Sequence, residues 1–94
     1  MEVTWTLGAL GDLEEIGDYI ATDSPRAAHQ ITVKIWSRTH DLLSENPNIG
    51  RKGRALGTRE LVIVGTPYFV VYRISDRVEI LAVVHGAQDW PKDA

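Results

Sequence analysis

Cysteine is absent from this chain, which excludes disulfides and thiolate metal sites. The three histidines, His29, His40 and His85, are too scattered to form a metal-ligand motif, so neither a metal nor any other cofactor is expected. A glycine-rich phosphate loop and a serine-nucleophile motif are also missing. No apolar run approaches the ~20 residues that span a bilayer, and no basic-then-apolar signal pattern opens the chain. A cytoplasmic protein without membrane contact is the expectation. Lysine is scarce, confined to Lys34, Lys52 and Lys92, and no base of either kind precedes Arg26.

What is present amounts to 94 residues, enough for one domain over 1–94. A chain of this size buries roughly 60–68% of the surface its unfolded form exposes, so its stability is modest and a partner would add to it. The net charge of −3 conceals a segregation. Up to Asp23 stand Glu2, Asp12, Glu14, Glu15, Asp18 and Asp23 with no base among them. From Arg51 to Arg59 stand Arg51, Lys52, Arg54 and Arg59 with no acid. This asymmetry suggests one end that meets an anionic partner, although the overall acidity argues against general nucleic-acid affinity. Solvated charge around glycine turns is the plainer alternative.

Val3, Trp5 and Leu7 alternate with polar neighbours, which predicts a short half-buried strand. Leu10, Leu13, Ile16 and Ile20 then recur at helical spacing, with Gly11 and Gly17 allowing close approach of a neighbouring helix. Ser24-Pro25 starts a second helix: the hydroxyl accepts a free N–H, and proline gives up nothing at the first helical position. Ala28, Ile31, Ile35 and Leu42 form its stripe, widened by Ala27 and Leu43, and Pro47 ends it near Asn46. The short link makes the helices an antiparallel hairpin. A glycine-marked loop follows, then strand runs Arg59–Val64, Tyr68–Ile74 and Val78–His85 joined by tight turns. The expected fold is α+β, in the order β-α-α-β-β-β: an antiparallel sheet with an N-terminal helical hairpin packed on one face.

The last strands are apolar on both sides. Tyr68, Val70, Tyr72 and Ile74 oppose Phe69 and Val71; Val78, Ile80, Ala82 and Val84 oppose Leu81 and Val83. One helical hairpin covers one face, so a partner chain is the expected cover for the other. By alternation, Arg59, Arg73, Glu79 and His85 fall on the face away from the helices.

His85 is the candidate acid or base, because it ends a strand and imidazole titrates near neutrality. A histidine hydrogen-bonded to a nearby carbonyl is the competing reading, and His29 and His40 read as surface residues. Arg51, Arg54, Arg59 and Arg73 are a candidate cluster for phosphate or carboxylate. Pairing with Glu60, Asp76 or Glu79 is the alternative for each. Trp90 reads as a cap over the sheet's end or an anchor for a partner, and Trp5 and Trp36 as core or inter-helix packing.

These pieces occur in a recognisable order. Asp12-Leu13 with Ile16 and Asp18-Tyr19-Ile20 precede Ser24-Pro25-Arg26-Ala27-Ala28. Asn46-Pro47-Asn48-Ile49-Gly50-Arg51, Arg59-Glu60-Leu61-Val62, Pro67-Tyr68-Phe69-Val70-Val71-Tyr72-Arg73 and His85-Gly86-Ala87-Gln88-Asp89-Trp90 follow. Over nearly its whole length the chain resembles the RelE/ParE toxin superfamily, and most of all the ParE-type toxins of type II toxin–antitoxin modules.

The resemblance implies a toxin that arrests growth and is neutralised by a cognate ParD-like antitoxin, with operator DNA met only through that antitoxin. RelE-like members are ribosome-dependent endoribonucleases that use lysines and arginines and, commonly, a C-terminal tyrosine. Here no tyrosine follows the last strand and the expected sheet holds no lysine, so the ParE-like alternative, a non-catalytic poison of DNA gyrase, is the first expectation. An mRNA endoribonuclease with His85 as catalytic group is the second. Target-binding candidates are Arg51, Arg54, Arg59, Arg73, His85 and Trp90, with the first three expected to serve toxicity more than folding. Antitoxin-binding candidates are Leu13, Ile20, Phe69, Val71, Leu81 and Val83.

Overall fold

A computed structural model describes residues 1–91 of the chain, so Lys92 lies outside the described residues. The elements are β1 (Val3–Trp5), α1 (Leu7–Ala21), α2 (Pro25–Glu45), β2 (Arg51–Lys52), β3 (Arg59–Val62), β4 (Tyr68–Ile74) and β5 (Val78–His85). They form a helical hairpin on a five-stranded sheet in the order β1-β5-β4-β3-β2. The α+β class and the packed N-terminal hairpin are as expected, with two differences in the sheet. It is mixed rather than wholly antiparallel, because β1 runs parallel to β5 with Val3 beside Val78 and Trp5 beside Ile80. Arg51 and Lys52, expected in the loop, add a short antiparallel strand against Arg59 and Glu60. The sheet therefore does contain a lysine.

Local chemistry explains the helix ends. Thr6 accepts the Ala9 N–H at 3.2 Å and donates its own proton to the Ile80 carbonyl at 2.9 Å. It therefore stops β1, starts α1 and fastens the join to β5. Leu7, expected on the strand, becomes the first helical residue and is 87% exposed. Ser24 caps α2 through the Ala27 N–H at 3.1 Å, with Pro25 following as expected. Gly17 faces Thr32 of α2 so closely that a Cβ would come within 3.3 Å of its methyl, whereas Gly11 meets nothing. Only Gly17 thus serves the helix pairing.

The main core joins Ala9, Ile35 and Leu43 of the hairpin to Leu61, Val70, Tyr72, Val78 and Ile80 of the sheet. On the opposite face Phe69, Val71, Ala82 and Val84 form a second cluster with Trp90 packed on it. One irregularity explains the departure from simple alternation. Val71 pairs with Ala82 but Tyr72 pairs with Ile80, so Leu81 is an extra residue on β5. Such a bulge reverses the facing of everything beyond it. Ala82 and Val84 consequently join the far face, while Val83 turns to the helices.

The second cover comes from the chain itself rather than from a partner, in keeping with the reading of Trp90 as a cap. The far face is closed by the chain's own Trp90, and Phe69 and Val71 are buried beneath it.

Candidate functional site

Glu60 is the one buried charged residue among the described residues. Its carboxylate is 1% exposed, on the same face of the sheet as Phe69 and Val71. Strand pairing sets Arg51 directly opposite, and Arg51 grips one carboxylate oxygen with Nε at 3.1 Å and Nη2 at 2.9 Å. The backbone N–H of Arg54 donates to the other oxygen at 3.0 Å, and the Arg54 guanidinium stands 3.5 Å from the first. Burial pushes the Glu60 carboxyl up, but the Arg54 N–H, the Arg51 hydrogen bond and both positive charges outweigh it. The net result holds the group below its ordinary value.

Both guanidinium groups also lie over the Phe69 ring, at 5.5 Å for Arg51 and 5.2 Å for Arg54. Arg54 reaches on to the Trp90 carbonyl at 3.5 Å. A buried carboxylate, two arginines, a phenylalanine and the tail thus make one closed unit. Of the two readings given for Arg51 and Arg54, the structure shows the pairing with Glu60, while both side chains stay about half exposed. Sequence reasoning noted Glu60 only as a possible partner; the available signal was its place as the first acid after the base-rich stretch.

Arg59 does not share this face. It pairs across from Tyr72, and its guanidinium donates to the Gly50 and Asn48 carbonyls at 2.9 and 3.2 Å. Tyr72 is fully buried and fastens the same link, donating to the Pro47 carbonyl at 2.7 Å and accepting the Gly50 N–H at 2.9 Å. Burial raises its phenol pKa, only partly offset by the Gly50 N–H and the nearby Arg59 charge. Arg73 and Glu79 remain on the far face, joined at 2.8 Å and solvent-exposed.

His85 lies beyond the bulge and faces the helix side, contrary to the simple alternation. It opposes Tyr68, whose ring meets it edge-on at 5.3 Å. Its Nδ1 accepts the Ala87 N–H at 3.0 Å, and among the described residues its Nε2 has no hydrogen-bond partner. His85 and Tyr68 form one wall of a groove whose other wall is Asp12, Glu15, Ile16 and Tyr19 of α1. The tail residues Gln88, Asp89 and Trp90 rim it. Asp12 is not a free acid: it accepts the Val83 N–H at 3.0 Å, tying α1 to β5. Tyr68 has its pKa raised by burial and by the neighbouring Tyr19.

The remaining candidates divide by exposure. Leu13 and Ile20 are half-buried against the core, Leu81 is half-buried at the bulge, and Val83 is buried. His40, expected at the surface, accepts the Trp5 indole N–H at 3.1 Å beside the stacked pair Trp5 and Trp36. Among the described residues no cluster of His, Cys, Asp or Glu could hold a metal ion. No described helix is long and apolar enough to cross a membrane.

This sheet, helical hairpin and tail match known proteins. The family model for the ParE toxin of the type II toxin–antitoxin system parDE matches residues 3–90. The chain is 49% identical over 90 residues to a Sinorhizobium fredii protein named "Putative toxin Y4kP", covering 96% of this chain and 93% of that relative. It is 40% identical over 88 residues to toxin RelE2 of Caulobacter vibrioides, covering 93% and 97%. Among solved structures, a chain of the chromosomal ParDE system from P. aeruginosa superposes with a TM-score of 0.80 at 26% identity, covering 90% of this chain and 95% of that one. A chain of the RelBE2 toxin–antitoxin complex from Mycobacterium tuberculosis superposes at 0.58 with 28% identity, covering 93% and 92%. The chain belongs to the ParE toxin family of type II toxin–antitoxin systems.

Proposed function

We propose that this toxin arrests growth by binding DNA gyrase as a non-catalytic poison, and that a ParD-like antitoxin silences it. The observation that carries this reading is the commitment of Arg51 and Arg54 to Glu60 and Phe69. RNA cleavage needs one group to activate a ribose hydroxyl and another to protonate the leaving oxygen. Arginines that neutralise a buried carboxylate are poorly placed to do so, and no tyrosine follows Tyr72. An antitoxin partner is supported by the two structural relatives, which are chains of a ParDE system and of a RelBE2 toxin–antitoxin complex, and by the groove between α1 and the tail. Operator DNA would be met through the antitoxin, in keeping with the toxin's net charge of −3.

The second reading, a ribosome-dependent endoribonuclease, draws on the relative named RelE2, on Lys52 in the sheet and on the open Nε2 of His85. Purified protein should inhibit gyrase supercoiling and accumulate cleaved, unresealed DNA. Codon-linked cleavage of messenger on translating ribosomes, with gyrase unaffected, would replace the first reading with the second.

A further inference from the structure

The β2–β3 connection carries a feature that neither the core nor the groove beside α1 accounts for. Leu56 at its tip is 100% exposed. A lone exposed leucine is ordinary on a protein surface. This one, however, is mounted on a braced loop. The Gly53 N–H donates to the Thr58 carbonyl at 2.8 Å, the Thr58 hydroxyl to the Ala55 carbonyl at 2.7 Å, and the Thr58 N–H to the same carbonyl at 3.2 Å. Gly57 makes the turn with a positive φ of 77°, a conformation glycine adopts without steric cost. At its base the loop is anchored through Arg54 to buried Glu60. Leu56 is therefore displayed on a scaffold that loses little freedom when it meets a partner.

The surroundings of the tip are cationic. Lys52, Arg54, Arg59 and Arg73 share a recess with Leu56 and Ile74; Arg54 and Arg73 are paired with Glu60 and Glu79, so Lys52 and Arg59 supply its charge without an acid partner among the described residues. Lys52 has no ion pair among the described residues. Arg59 is held by backbone carbonyls, which fix its position without cancelling its charge.

We infer that the β2–β3 hairpin tip is the arm that seizes the target, and that its partner is an acidic protein surface with an apolar socket for Leu56. A phosphate backbone would satisfy the cations but would leave Leu56 and Ile74 in water. A protein surface satisfies both, with the apolar contact at the centre and complementary charge at the rim. The inference rests on the reading of a protein target, and it specifies which surface of the toxin does the binding.

The test uses full-length Leu56→Ser and Lys52→Glu, with Val33→Ser, exposed on α2, as a control. Purified gyrase is the probe, at low and high salt, beside growth arrest and the melting temperature. Each tip variant should bind gyrase at least tenfold more weakly and fail to arrest growth, while melting like the wild type. Binding by the wild type should weaken with salt, and Val33→Ser should behave as the wild type. Unchanged gyrase binding by both tip variants overturns the inference while leaving the gyrase reading intact. If the wild type itself does not bind gyrase, the gyrase reading fails and growth arrest decides: its loss in both tip variants supports the arm, and its persistence overturns it. A tip variant that melts early overturns it. So does wild-type binding to an RNA or DNA oligonucleotide that Lys52→Glu weakens and Leu56→Ser does not.

Discussion

On one side of the sheet, α1 and α2 lie over Val70, Tyr72, Val78 and Ile80 and exclude water with Ile35 and Leu43. On the other, a single indole and two guanidinium groups do the covering, over Phe69, Val71, Ala82 and Val84. The first is an ordinary apolar interior. In the second, charged groups act as part of the lid because Glu60 fixes the two guanidinium groups over the Phe69 ring. Two clusters of similar residue types are thus held by different forces, and they should respond differently to substitution and to pH.

The largest effect is expected on the helix side. Ile35→Ala removes a fully buried side chain and should cost about 2–5 kcal/mol, read as a lower denaturant midpoint at unchanged slope. Next comes Trp90→Ala, which uncovers the far cluster. Because the indole is only half-buried, roughly 1–3 kcal/mol is expected, below the range for a fully buried aromatic. Loss equal to that of Ile35→Ala would show that the far face is an equal core.

Arg51→Ala leaves Glu60 buried with only Arg54 to answer its charge. A cost of about 1–3 kcal/mol is expected, toward the lower end because the Arg54 N–H and guanidinium remain. The pH dependence should identify the cause. Glu60 has a folded pKa below its ordinary value of about 4.3, so its contribution is fully present above that value. It is lost as pH falls through the folded pKa, because the unfolded chain then binds the proton more readily. Acid titration should therefore destabilise the wild type in this window. Glu60→Gln, which cannot ionise, should show a smaller loss over the same window. Smallest of all is Arg73→Ala: its pair with Glu79 is exposed, and the melting temperature should not move measurably.

Much of the frame was legible in the chain. Ser24-Pro25 and Pro47 bound α2 through rules that act within a few residues, and the three strand runs carried their own turn signals. What failed to show is non-local. The parallel pairing of β1 with β5 joins residues more than seventy positions apart, and no periodicity near Val3 encodes it. The bulge at Leu81 is a single extra residue in an otherwise uniform apolar run, yet it moves His85 from one face to the other. Likewise the sequence left Arg51 and Arg54 between pairing and ligand binding, because the Arg51–Glu60 register that brings them to Glu60 joins two different strands. For the site, therefore, the residue types and the possible pairings were readable, and the register that chooses among them was not.

Arg51 and Lys52 stand next to each other in β2 and, by strand alternation, point to opposite sides. One grips a buried carboxylate; the other has no ion pair among the described residues. The most direct test measures melting temperature and growth arrest for Arg51→Ala and Lys52→Glu side by side, at a temperature where both are folded. Arg51→Ala is expected to melt earlier and still arrest growth, and Lys52→Glu to melt normally and lose arrest. If Arg51→Ala instead loses arrest with an unchanged melting temperature, and Lys52→Glu keeps its arrest, the division between a clamp for the fold and an arm for the target is wrong.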